Sequence, residues 1–184
     1  MIALILVLRF TGVLAGISYV TGSLLLKTGA MNASTEEPVV AKSFDYNFKV
    51  QDLNGTVIDF NSFKGKTLFL NVWATWCGPC RVEMPSIQNL YNKVNRDEIV
   101  FVMLAVDDRK SFDKVVSFVK EKEYTFPVYV PHEFFPEQLM VRTIPTTFIV
   151  NPEGKIATKE TGAANYDTEE FKKFLEDMVS QTKQ

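Results

Sequence analysis

Two long apolar runs, at residues 67–74 and 99–106, dominate the hydrophobic pattern of residues 44–184. Near-continuous apolar runs of this length are typical of central strands covered on both faces of a sheet. Apolar residues at helical spacing follow each run: Ile87, Leu90, Tyr91 and Val94 after the first, and Phe112, Val115, Val116 and Val119 after the second. This alternation of strands and helices predicts an α/β domain built on a largely parallel sheet.

Shorter patterns predict how the sheet is extended. Residues 44–50 and 56–60 alternate apolar and polar positions around an Asn54-Gly55 turn, which indicates a hairpin. A second hairpin is predicted from 146–150 and 155–161. The remaining predicted elements are a strand at 127–130, a short helix at 133–140 and a final helix that turns Phe171, Phe174, Leu175, Met178 and Val179 inward.

The first 26 residues are almost wholly apolar and are interrupted only by Arg9 and small polar residues. A run of roughly 25 residues is long enough to span a bilayer, so residues 1–26 are predicted to be a membrane anchor. A signal segment that is cleaved to release a soluble exported domain is the alternative, and a buried core helix is disfavoured because the run lacks a polar face. Residues 27–43 are small, polar and charged, which indicates a tether, and residues 44–184 form the predicted domain.

Composition and cysteine usage exclude several functions. A formal net charge of −2 and a pI near 5.5, with no cluster of basic residues, argue against nucleic-acid binding. The two cysteines, Cys77 and Cys80, share one motif. A zinc site needs further ligands, and His132 is the only histidine. Haem attachment needs histidine after the second cysteine, where the chain has Arg81.

The spacing of Cys77 and Cys80 points to redox chemistry without a separate cofactor. The motif lies at a strand-to-helix junction, where unpaired N–H groups and the helix dipole favour a Cys77 thiolate. That thiolate attacks a substrate disulfide, and Cys80, one turn into the helix, resolves the mixed disulfide. The intervening Gly78-Pro79 matches reducing thioredoxins, with potentials of about −270 mV against about −120 mV for a strong oxidant. The dipeptide therefore favours a reductase.

The segments LNVWATWCGPCRVEMP at 70–85 and RTIPTTFIV at 142–150 resemble the membrane-tethered thioredoxin-like proteins of the TlpA/ResA type. The resemblance covers most of residues 44–179. It implies a thioredoxin fold: a central mixed sheet flanked by helices, with an N-terminal β-hairpin and a strand-helix insertion around residues 99–123. Such proteins are usually extracytoplasmic, which agrees with the apolar N-terminal segment.

The resemblance also implies roles for individual residues. Ile144-Pro145 matches the cis-proline loop that faces the disulfide, where the backbone of Ile144 pairs with an extended substrate beside Cys77. An ordinary trans proline is the base-rate alternative. The other expected substrate contacts are Trp76, Gly78 and Pro79.

Glu83 is expected to accept the proton of Cys80. It follows Cys80 by three residues on the predicted helix, so a partly buried carboxylate there lies within reach of the sulfur. Asn71 stands where thioredoxin has a buried acid, and Glu83 takes over that proton role in this interpretation. The alternative is a solvated acid, or one that pairs with Arg81 or Lys93.

The leading functional hypothesis is an exported, membrane-tethered reductase of protein disulfides. By resemblance its substrates include oxidised apocytochrome c, and its electrons come from a membrane thiol carrier. A general stress or repair reductase and a peroxide reductase are alternatives within enzymes. A non-catalytic binding module on the same fold is an alternative of another class.

Overall fold

A computed structural model describes residues 28–29, 31–35, 42–132 and 136–181 of the 184-residue chain. The predicted anchor at 1–26 lies outside the described residues, as do parts of the predicted tether at 27–43. None of the helices in the described part of the chain is both long enough and apolar enough to cross a membrane.

The domain is built on a seven-stranded sheet with the strand order β2-β1-β5-β4-β3-β6-β7. Its strands are β1 (Lys49–Asp52), β2 (Val57–Asp59), β3 (Thr67–Trp73), β4 (Ile99–Ala105), β5 (Val128–Pro131), β6 (Thr146–Val150) and β7 (Ile156–Thr161). The helices are α1 (Gly78–Lys93), α2 (Phe112–Glu121) and α3 (Glu169–Gln181), with 3-10 turns at Phe60–Phe63, Arg109–Ser111 and Glu137–Leu139.

The sheet is mixed, as the resemblance implies, and the expectation of a largely parallel sheet is wrong. β4 pairs in parallel with β3 and with β5, because helical connections return the chain to the same edge. The other neighbouring strands are antiparallel. Hairpins join β1 to β2 and β6 to β7, and a short connection can only reverse the strand direction.

Strand β3 separates two apolar layers, because successive side chains point to opposite faces of a sheet. Phe69 and Trp73 face a core shared with the apolar sides of all three helices. Leu68, Leu70 and Val72 face a second core that is covered by the segment before β1, by the Phe60 turn and by Leu139. Every residue of β3 is buried, as the continuous apolar run predicts.

Three predicted elements differ in extent. Residues 44–48 keep their alternating burial, but ladder pairing begins only at Lys49, which leaves a shorter hairpin. Of the helix predicted at 133–140, residues 133–135 lie outside the described residues and the rest holds only the short turn Glu137–Leu139. Residues 31–35, within the predicted tether, lie against the domain: Asn32 forms a parallel bridge with Asn165, and Ala33 is buried.

Candidate active site

The two cysteines lie where β3 ends and α1 begins. Cys77 is the N-cap of α1 in an extended conformation, and the backbone N–H of Cys80 donates to the Cys77 Sγ over 3.2 Å. Pro79 fits the first turn because its missing N–H would be unpaired there in any case. The helix thus presents its N-terminal donors to the sulfur of Cys77, as the spacing predicts.

Cys77 and Cys80 form a disulfide with an S–S distance of 2.11 Å. Cys80 is fully buried and Cys77 retains 5% of its surface. Gly78 and Pro79 beside it are exposed. Cys77 is therefore the sulfur that an incoming group reaches first.

The loop before the cysteines is anchored to the neighbouring strand. Asp107, just beyond β4, accepts a hydrogen bond from the backbone N–H of Thr75 over 3.0 Å and another from the Thr75 hydroxyl. Sequence reasoning missed both residues. The available signal was an acid at the carboxyl end of β4, next to the strand that carries the cysteines.

The Ile144–Pro145 peptide bond is cis, as the resemblance implies. The Ile144 carbonyl oxygen lies 3.7 Å from the Cys77 Sγ. A closed disulfide has no S–H to donate, so this is a contact in the oxidised state, and a Cys77 thiol has an acceptor there after reduction. Pro145 is buried, and its carbonyl accepts from Gly162 over 2.9 Å.

Glu83 is fully buried, not partly buried as expected. Its carboxylate accepts from Asn71 Nδ2 over 2.8 Å and from the backbone N–H of Ala164 over 3.1 Å. The alternative of a solvated or ion-paired acid is wrong, because Lys93 pairs with Asp167 and Arg81 lies over the ring of Phe118. Glu83 thus has the hydrogen-bond donors of Asn71 and Ala164 beside its carboxylate, and Lys93 and Arg81 have other partners.

Burial raises the pKa of Glu83 to about 8, because a carboxylate loses its hydration inside the protein. The hydrogen bonds from Ala164 and Asn71 favour the charged form and offset part of that rise, while Glu160 adds to it. A carboxyl of this pKa exchanges its proton in the range where thiols titrate, near 8.5.

Asn71 also links Glu83 to two buried hydroxyl groups, those of Thr147 and Tyr166. Its Nδ2 also donates to Thr147 Oγ1 over 2.9 Å, and the hydroxyl of Tyr166 lies 2.7 Å from the same oxygen. Asn71 and Thr147 are direct cross-strand partners on β3 and β6, which explains their contact. Burial holds the pKa of Tyr166 well above its usual range. Sequence reasoning missed Thr147 and Tyr166, because only strand pairing and loop closure bring them to Asn71.

The two tryptophans near the cysteines occupy opposite environments. Trp76, the residue before Cys77, is 71% exposed, whereas Trp73 is fully buried and packs against Phe118. An exposed indole beside the reactive sulfur offers apolar surface to a protein substrate. In the described part of the chain, no group of three or more His, Cys, Asp or Glu side chains is placed to hold a metal ion.

The sheet order and the disulfide at the start of α1 define a thioredoxin-fold protein with a dithiol/disulfide centre. The Redoxin family model matches residues 40–175, and the chain belongs to this family.

Named relatives agree with the resemblance to the TlpA/ResA type, which is confirmed. The chain is 37% identical over 120 residues to the thiol-disulfide oxidoreductase ResA of Bacillus subtilis (strain 168), covering 63% of this chain and 64% of the relative. To ResA of Oceanobacillus iheyensis it is 31% identical over 134 residues, covering 71% and 67%. The crystal structure of StoA from Bacillus subtilis aligns with a TM-score of 0.56 and 26% identity, covering 74% of this chain and 98% of StoA. The match thus spans less than two thirds of the Bacillus subtilis ResA chain.

Proposed function

We propose that this chain is a thiol-disulfide oxidoreductase that reduces protein disulfides through Cys77 and Cys80. The observation that carries the proposal is the pair itself: a disulfide at the first turn of α1, in which Cys77 keeps a small exposed fraction and Cys80 is fully buried. The helix N-terminus stabilises the negative charge of a Cys77 thiolate. The similarity to ResA, a protein named for this activity, supports the same reaction.

The proposed reaction transfers two electrons in two exchanges. The Cys77 thiolate of the reduced protein attacks one sulfur of the substrate disulfide, forms a mixed disulfide and releases the other sulfur as a thiolate. Cys80 then attacks the Cys77 sulfur, which closes the 77–80 disulfide and releases the second substrate thiolate. The substrate takes up two protons, and the two electrons come from the dithiol.

Glu83 supplies the proton acceptor that the second exchange requires. Cys80 is fully buried, so water does not reach its thiol freely, and Glu83 lies one helical turn further along α1. The pKa of Glu83, about 8, is close to that of a thiol, so proton transfer between the two groups costs little. Two negative charges in this buried place repel one another, so the loss of a proton from one group disfavours its loss from the other.

The surface around the disulfide fits an extended polypeptide better than a small molecule. Trp76 offers exposed apolar area on one side of Cys77, and the Ile144 carbonyl lies on another. A substrate strand that pairs with the backbone of Ile144 brings its own disulfide to Cys77. Gly78 and Pro79 leave the approach open, since a Cβ added at Gly78 meets no atom within 4 Å.

The proposal extends to location and partners. The apolar residues 1–26 and the resemblance to the TlpA/ResA type support an extracytoplasmic domain held by a membrane anchor. Oxidised apocytochrome c is then one substrate, and a membrane thiol-disulfide protein supplies the electrons. A reducing Gly78-Pro79 motif in an oxidising compartment requires such a supply.

A trapping experiment tests this function. Cys80→Ser leaves Cys77 able to attack but removes the thiol that would displace the substrate from Cys77. Mixed disulfides with substrates therefore accumulate, and they release their partners on treatment with dithiothreitol. Cys77→Ser, expressed at the same level, is the matched control and captures none. Wild-type protein is expected to reduce insulin without consuming peroxide. A wild type that does not reduce insulin, together with a Cys80→Ser variant that captures nothing, contradicts the proposal and favours a binding module.

A further inference from the structure

The loop 164–166 is held from two sides, with alternate residues facing different partners. The backbone N–H of Ala164 donates to the Glu83 carboxylate over 3.1 Å, and that of Tyr166 donates to Ser86 Oγ over 3.2 Å. Asn165, between them, turns its backbone the other way. One side of the loop therefore carries a hydrogen bond to the buried acid.

The partner of Asn165 is the segment 31–33. Its N–H donates to the Met31 carbonyl over 2.6 Å, and its carbonyl accepts from the N–H of Ala33 over 3.0 Å. The side chains of Asn165 and Asn32 join as well, over 3.2 Å. These contacts make a short parallel pairing on the face of the loop opposite Glu83.

The segment is more than a surface contact of the domain. Ala33 is 8% exposed and belongs to the same apolar core as Cys77 and Cys80. The N–H of Ser34 donates to Glu160 over 3.2 Å. The family match begins at residue 40, so this segment lies outside the part of the chain that defines the family.

We propose that residues 31–33 form a clasp that positions the loop 164–166, and so keeps the N–H of Ala164 on the carboxylate of Glu83. The inference rests on the proposed function for its relevance to catalysis, since Glu83 is the proton acceptor there. Ala33 is a positioning residue, because its N–H donates to the carbonyl of Asn165 and it acts on Glu83 through that loop. A segment of the predicted tether thereby sets the proton affinity of the buried acid.

The groups that surround Glu83 give the direction of the effect. Asn71 on β3 and Ala164 donate hydrogen bonds to Glu83. Glu160 on β7 raises the pKa of Glu83, and Glu83 in turn raises the pKa of Tyr166. Cys80 precedes Glu83 on α1. Of these contacts, the clasp holds the Ala164 hydrogen bond, which lowers the pKa. Release of the clasp therefore raises the pKa of Glu83.

Ala33→Pro removes the N–H that donates to the carbonyl of Asn165. The measurement is the infrared titration of the Glu83 carboxyl in the oxidised full-length protein, with the band assigned by its loss in Glu83→Gln. The expected shift is upward by about one pH unit, the size of effect that a hydrogen bond to a charged group produces. The matched control is Thr35→Pro, two residues further along the same segment, where the side-chain hydroxyl donates to Glu170.

A second variant separates release of the clasp from a local charge effect. Ala33→Lys places a long charged side chain at a buried position and drives the segment off. Its positive charge by itself lowers the pKa of a nearby carboxyl, so a rise in this variant reports release. Exchange of the Ala164 and Tyr166 amide hydrogens, followed by NMR, is expected to become at least tenfold faster in both variants.

The outcomes are distinct. An unchanged Glu83 titration in both variants overturns the clasp, as does a downward shift, which means that the segment acts by excluding water. The titration uses oxidised protein that performs no turnover, so it does not depend on the proposed activity. A wild type that fails to reduce insulin while the shift is present contradicts the proposed function and leaves the clasp standing.

Discussion

Glu83→Gln should remove a large pH dependence from the stability of the oxidised protein. Glutamine has nearly the shape of glutamate but does not titrate, so the variant keeps the packing of the buried site and loses its proton equilibrium. In the oxidised state neither Cys77 nor Cys80 titrates, because both are in the disulfide. The remaining difference between variant and wild type is the ionisation of one buried carboxyl.

The sign and size of the pH effect on the free energy of unfolding follow from the pKa of Glu83. This pKa rises from its ordinary 4.5 to about 8 in the folded protein. The folded state binds this proton more tightly than the unfolded chain, so its contribution to stability is complete below pH 4.5 and is lost as the pH rises through 8. At about 1.4 kcal/mol per pH unit, the loss amounts to about 3 kcal/mol by pH 7 and about 5 kcal/mol above pH 9. The glutamine variant escapes this loss.

Urea unfolding of both proteins at pH 5, 7 and 9, without reductant, measures the difference directly. The free energy of unfolding of Glu83→Gln minus that of wild type should grow by about 4 kcal/mol from pH 5 to pH 9. A constant offset is expected in addition, because the glutamine amide meets the donors of Asn71 and Ala164, so the change with pH is the test. Glu121→Gln, at an exposed position on α2, is the control and should follow wild type. Parallel curves for Glu83→Gln and wild type would refute the reasoning.

Two further predictions concern the surroundings of the site. Asn71→Leu removes the side-chain donor to Glu83 and should raise the Glu83 pKa by about one to two units, since hydrogen bonds to charged groups are worth about 1.5–3 kcal/mol; an unchanged infrared titration of the carboxyl would contradict it. Trp76→Ala should lower kcat/KM for insulin roughly tenfold, because an exposed aromatic loses its contact with the substrate, and should leave reduction of a small aromatic disulfide unaffected; equal losses for both substrates would show that Trp76 acts on Cys77 itself.

The sequence determined the central strands, the helices α1, α2 and α3, and the reactive pair. The runs at 67–74 and 99–106 identified the central strands, because buried parallel strands are apolar on both faces. The position of Cys77 and Cys80 at a strand-to-helix junction followed from the same periodicity and from Pro79. Local patterns are sufficient here because each depends on residues that are neighbours in the chain.

Tertiary structure alone decided the environment of Glu83. Helical spacing placed Glu83 one turn from Cys80, but full burial depends on Asn71 from β3, Thr147 from β6 and the loop at Ala164, which are far apart in sequence. The clasp formed by residues 31–33 is hidden in the same way, since three residues show no periodic pattern and their pairing depends on the backbone of Asn165, which is far away in the sequence. The sequence thus predicts which sulfurs react. The proton affinity of Glu83 beside them arises from desolvation and hydrogen bonds that exist only after folding.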